Sequence, residues 1–139
     1  MKSYWRLLDH TADLGIEVEG ASLEELFSHA GQAVFELMAE LDKVETLVSR
    51  DLTIEGSDLA DLWVNYLREV LYLWSGEGLL IKKVNIRQLT DTSLEATLSG
   101  EPYDSRKHDL NMEIKAVTYH QAEVVRTKEG WKGRVIFDV

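Results

Sequence analysis

The sequence predicts an α+β fold, with two long helices packed on one face of a mostly antiparallel sheet. Three observations carry that expectation. Two stretches in the first half repeat apolar residues at three- and four-residue steps. Short runs with two-residue alternation flank them, and the second half reads as a meander of strands divided by turn residues. With 139 residues, 45% of them hydrophobic and 29% charged, one domain spanning 1–139 is long enough to bury a proper core.

Residues 4–8 are a short aromatic and apolar run, read as a strand. Leu14, Ile16 and Val18 alternate with Gly15, Glu17 and Glu19 in a half-buried strand pattern that Gly20 ends. Ser22 then opens a helix, and Glu25 completes a Ser-x-x-Glu capping box. Apolar positions from Leu23 to Leu41 give that helix one broad face; His29 lies among them and reads as structural. Residues 48–55 fit a third strand. Gly56-Ser57-Asp58 breaks it and offers an N-cap for a second helix over 59–74, and Gly76 follows as a cap or turn residue. The aromatic stripe of that helix, which includes Trp63, Tyr66 and Trp74, reads as core.

Strands are expected at 80–89, 94–99, 112–119, 122–126 and 131–138, with hairpin turns at Asp91-Thr92-Ser93 and Lys128-Glu129-Gly130. The loop from Gly100 to Leu110 contains the single proline, Pro102, and reads by default as a solvated connector.

Composition narrows the chemistry. The absence of cysteine excludes disulfides, zinc–thiolate sites and thiol nucleophiles. Any metal would be held by carboxylates, carbonyls or imidazoles, which favours a hard ion such as calcium or magnesium. The formal charge of −10 argues against broad phosphate-backbone binding and suits docking on a basic partner. There is no signal-like apolar core and no membrane-length apolar run, so a cytoplasmic protein without a membrane role is expected. Phosphate-loop, dinucleotide, HExxH and GxSxG signatures are absent, and His10, His29, His108 and His120 lack zinc-ligand spacing. Nothing specifies a self-sufficient enzyme.

Three stretches hold unusual chemistry. Asp9-His10-Thr11-Ala12-Asp13-Leu14-Gly15 sets two carboxylates, an imidazole and a hydroxyl between apolar runs, where carboxylates need a cation, a metal or backbone donors. Lys115-Ala116-Val117-Thr118-Tyr119-His120 places a lysine in an otherwise apolar strand, either facing solvent or partly buried near a carboxylate. Val135-Ile136-Phe137-Asp138-Val139 sets the Asp138 carboxylate beside the terminal one. With Asp13 in reach, three oxygen donors would form a small calcium or magnesium site; without it, Asp138 is a solvated residue at a frayed end.

Together DHTADLG, the late GEPYD-x-x-x-H, IKAVTYH and the final VIFDV resemble the archease family, in the right order over essentially the whole chain. The resemblance implies a non-catalytic protein cofactor of an RtcB-type RNA ligase, the enzyme of tRNA splicing and RNA repair that joins 2′,3′-cyclic phosphate or 3′-phosphate ends to a 5′-hydroxyl. It implies promotion of the ligase's GTP-dependent guanylylation and of its multiple turnover, with no stable nucleic-acid binding by the cofactor. It also implies metal-binding positions at Asp13, Asp138 and Val139 and an activating lysine at Lys115, with supporting roles for Asp9, His10 and His120. Calcium is the first expectation for the ion, with magnesium or manganese as alternatives.

Two other readings compete. A general chaperone or modulator of RNA-modifying enzymes would work through an exposed apolar surface rather than the carboxylates. A stand-alone metal-dependent hydrolase would need a nucleophile or base pair that the sequence does not display.

Overall fold

The last strand of the chain inserts beside the second, and that pairing organises everything else. The structure is a computed structural model that describes residues 4–8 and 13–139. Its elements are β1 (Trp5–Leu7), β2 (Leu14–Gly20), α1 (Leu23–Met38), β3 (Val48–Glu55), α2 (Leu59–Ser75), β4 (Leu79–Leu89), β5 (Ser93–Pro102), β6 (Ala116–Thr127) and β7 (Gly130–Asp138). The α+β class and the antiparallel pairing agree with the sequence. The strands divide between two sheets, one ordered β1-β2-β7-β6 and the other β3-β5-β4. Each helix touches both: α1 packs on β2 and β4, and α2 on β6 and β3.

The helix ends form as their sequences dictate. Ser22 Oγ accepts from the Glu25 amide at 3.1 Å, while the Glu25 carboxylate reaches back to the Ala21 amide at 2.7 Å. Asp58 caps α2 by accepting from the Asp61 amide at 2.9 Å. At the far end of α2 Gly76 is the C-cap, its amide donating to the Tyr72 carbonyl at 2.7 Å, and the left-handed residue follows at Gly78, with φ +69.

The core lies where the helices meet the inner sheet faces. Leu26, Phe27, Val34, Phe35, Leu62, Trp63, Tyr66 and Leu67 are fully buried there. Gly133 of β7 lies under the Trp63 ring, and a β-carbon at that position would come 2.5 Å from it. The Trp63 indole N–H donates to the Arg134 carbonyl at 3.0 Å, so this contact sets helix and sheet at one spacing.

Several boundaries differ from the sequence expectation: α1 ends at Met38 rather than near Leu41, β5 runs on to Pro102, and β6 is displaced. Residues 112–115 are not strand; β6 starts at Ala116 and continues through both predicted strands. Its register against β7 shifts between Thr118 and Glu123, and Gln121 there has φ 55. A bulge, not a turn, separates the two apolar runs, which is why alternation alone divided them. Among the described residues no helix is long and apolar enough to cross a membrane.

Candidate functional site

The β2–β7 register decides what the aspartates meet. Leu14 pairs with Phe137, which brings Asp13, the residue before β2, to the same end of the sheet as Asp138. Ala116 of β6 pairs with Asp138 from the other side, and the Lys115 amide donates to the Asp138 carbonyl at 2.7 Å. Residues from three motifs, far apart in sequence, thus gather at one end of the four-stranded sheet. Asp13, Lys115, Asp138 and Val139 are all exposed there. Asp9 and His10 lie outside the described residues.

Strand alternation sorts the side chains between the two faces. Phe137, Val135 and Val117 are buried under the helices. Asp138 and Ala116 therefore belong to the outer face. The next row along that face is Gly15, Ile136 and Thr118. At Gly15 an added β-carbon would press on the Leu8 side chain, at 3.3 Å. Beyond it runs a row of alternating charge, Arg6–Glu17–Arg134–Glu123, each residue paired across strands with the next. Arg6 holds the buried Glu17 carboxylate at 2.6 Å, with Lys132 and Arg134 each at 3.7 Å, so this carboxylate is buried among cations.

Lys115 lies just before β6. It borders a groove of about 460 Å³ with Trp74, Ser75, Gly78, Glu113 and Ile114, at the C-terminal end of α2. A cation suits that end of a helix. The expected alternation fails before Ala116, since Ile114 is buried at 2% exposure although it shares parity with Ala116 on the outer face. Lys115 is neither buried nor ion-paired to a described carboxylate, which resolves the two readings in favour of an exposed ammonium.

The late loop overturns its reading as a solvated connector. Glu101 is 5% exposed and His108 3%. The Glu101 carboxylate accepts from the Glu45 amide at 2.9 Å, from Lys107 Nζ at 3.1 Å and from His108 Nε2 at 2.9 Å. The Lys107 ammonium, then the Glu45 amide, then His108 hold its pKa down at about 2. A buried carboxylate was invisible in so polar a stretch; the Glu101 and His108 spacing was the only signal.

A second cluster was also missed. The Tyr119 hydroxyl donates to Asp61 Oδ1 at 2.9 Å, and Arg68 lies over the Tyr119 ring at 4.5 Å. The Ser57 amide, then the Tyr119 hydroxyl, lower the Asp61 pKa. These contacts staple the β6 bulge to α2. His120, beside them, is exposed.

As a metal centre, the described side chains offer oxygen donors alone, from Asp13 and Asp138. Among the described residues no group of three His, Cys, Asp or Glu could hold an ion. Two carboxylates supply at most four oxygens, fewer than the six or more that calcium or magnesium takes. Such a pair would suit a hard cation whose shell is completed by water, a terminal carboxylate or a partner's oxygens.

The comparisons with known proteins agree over the chain's length. The family model described as "Archease protein family (MTH1598/TM1083)" matches residues 5–139. The protein archease of Pyrococcus furiosus is 37% identical, covering 97% of this chain and 98% of its own. That of Methanosarcina acetivorans is 34% identical, over 97% and 95%. The solution structure of Methanobacterium thermoautotrophicum protein 1598 superposes with a TM-score of 0.82 at 34% identity, covering 98% and 99% of the two chains. The crystal structure of a Thermotoga maritima archease, titled a possible chaperone, shares the fold with a TM-score of 0.67 at 24% identity over 96% of each chain.

Proposed function

The chain belongs to the archease family, and from that premise we propose that it is a non-catalytic cofactor of an RtcB-type RNA ligase. It promotes GTP-dependent guanylylation of the ligase and sustains its turnover. The observation that carries this reading is the convergence of Asp13, Asp138 and Lys115 at one end of the four-stranded sheet. Asp13 lies more than a hundred residues from Lys115 and Asp138 in sequence, yet all three meet at this end as exposed polar groups.

In this reading Asp13 and Asp138, with the Val139 carboxylate, hold a divalent ion, calcium first and magnesium or manganese otherwise. When bound, such an ion supplies positive charge that offsets the charge developing on a nucleotide triphosphate. The chain's own part is positional. The Asp138 carbonyl holds the Lys115 amide, both aspartates are exposed at this end of the sheet, and Lys115 borders the groove at the end of α2. A partner approaching this end of the sheet meets both, and the site is cytoplasmic with its ligase.

The test is guanylylation of the cognate ligase at limiting GTP, without addition, with the wild-type protein, and with Asp13→Ala, Lys115→Ala and Asp138→Ala. Stimulation by wild type that all three variants lose supports the reading. The alternative of a general chaperone or modulator of RNA-modifying enzymes predicts full stimulation by the aspartate variants. No stimulation by wild type would sink the ligase reading.

A further inference from the structure

We infer that Glu101, Tyr103 and His108 are positioning residues for the Lys115 groove: the buried Glu101–His108 pair holds Tyr103 against Trp74, which forms the groove wall. The inference rests on the reading of Lys115 as the activating group.

The chain of contacts is continuous. His108 Nδ1 accepts from the Asp104 amide at 2.9 Å, so the ring proton of neutral His108 sits on Nε2 and is donated to Glu101 at 2.9 Å. Both ring nitrogens are used, and the side chain has one orientation. Tyr103 lies inside this loop. Its amide donates to the Gly78 carbonyl at 2.8 Å, its ring stacks on His108 at 6.0 Å, and it meets Trp74 edge-on at 5.5 Å. Trp74 and Gly78 then line the groove with Lys115. The groove is open at Gly78, where an added β-carbon would meet nothing within 4 Å.

The same loop sets the approach of the chain to Lys115. On leaving it, the Glu40 amide donates to the Asp109 carbonyl at 3.2 Å, and the Asn111 amide to the Met38 carbonyl at 2.6 Å. Residues 103–110 contain no strand of their own, whereas Glu101 and Pro102 are already paired with Leu80 and Leu79 of β4. The buried network therefore determines the loop without being needed for the β4–β5 ladder. Its loss displaces the groove wall and leaves the sheet intact.

The experiment has two arms. In the isolated protein, the Trp74 indole N–H resonance is followed by two-dimensional NMR in wild type, Tyr103→Ala, Tyr103→Phe and His108→Ala. The Trp74 signal is expected to move in Tyr103→Ala and His108→Ala while the Trp63 signal stays. Tyr103→Phe, which keeps the ring, is expected to match wild type. In the second arm, ligase guanylylation is titrated with each protein. Tyr103→Ala raises the half-saturating concentration by about tenfold with the maximal rate kept, Tyr103→Phe restores it, and Lys115→Ala lowers the maximal rate instead. An unmoved Trp74 resonance, or a wild-type half-saturating concentration in Tyr103→Ala, overturns the inference while leaving the ligase reading intact. If wild type itself fails to stimulate, the ligase reading falls, and the NMR arm alone decides whether the loop sets the groove wall.

Discussion

The amide of Lys115 donates to the carbonyl of Asp138 at 2.7 Å, tying the residue just before β6 to the last residue of β7. The lysine borders the groove at the end of α2, and the aspartate stands on the outer face of the sheet. The proposed ion site and the proposed activating lysine are thus joined by one backbone hydrogen bond and separable by substitution.

That separation is measurable by calorimetric titration with calcium, magnesium and manganese. Asp13→Asn and Asp138→Asn are expected to weaken ion binding by at least about tenfold, the scale on which even outer groups of a metal site act. Lys115→Ala is expected to bind as wild type does. Equal affinity in wild type and Asp138→Asn would remove the proposed ion from this end of the sheet.

Acid should loosen the late loop first. The Glu101 carboxyl is held at about 2 by Lys107, the Glu45 amide and His108, below its ordinary value of 4.5. A depressed folded-state pKa gives stability that is fully present above about 4.5 and lost as the pH falls toward 2. Chemical denaturation at pH 6 and pH 3 should therefore show a smaller pH effect in Glu101→Gln than in wild type. An identical pH dependence in the two proteins would contradict the network.

Gly133→Ala tests the contact between helix and sheet. The added carbon would lie 2.5 Å from the Trp63 ring, whose nitrogen is tied to the Arg134 carbonyl. Overpacking of this kind costs about 1–3 kcal/mol. A loss of that size in denaturant midpoint is expected at unchanged ligase stimulation per folded molecule.

The β6 bulge makes the opposite prediction. Gln121 holds φ 55, where a side chain costs roughly 1–2 kcal/mol that glycine avoids. Set against the added freedom of the unfolded chain, Gln121→Gly should raise stability by up to about 1 kcal/mol. A marked loss instead would mean that the Gln121 side chain supports the Tyr119 staple to Asp61.

Local signals were legible wherever one segment determines its own conformation. The Ser22–Glu25 box, the Asp58 cap, the helical apolar stripes and the 48–55 strand follow from nearest-neighbour hydrogen bonding and periodicity, and the structure has them within a few residues. The β6 bulge was not legible, because a positive φ at a glutamine leaves no mark on an alternation pattern. Nor was the burial of Glu101, since a carboxylate enters the interior only where Lys107, His108 and the Glu45 amide converge on it.

The sequence by itself determined the α+β class, the ends of the helices, the absence of thiol chemistry and, through four ordered motifs, the family. The tertiary structure alone decided that β7 enters beside β2 in the register that brings Asp13 and Asp138 to one end of the sheet. It alone placed Lys115 beside a groove lined by Trp74, whose ring Tyr103 meets edge-on. Pairing between distant strands depends on which buried faces fit together, and a one-residue slip would send each side chain to the other side. That choice belongs to the packed core around Trp63 and Gly133, not to any single stretch of the chain.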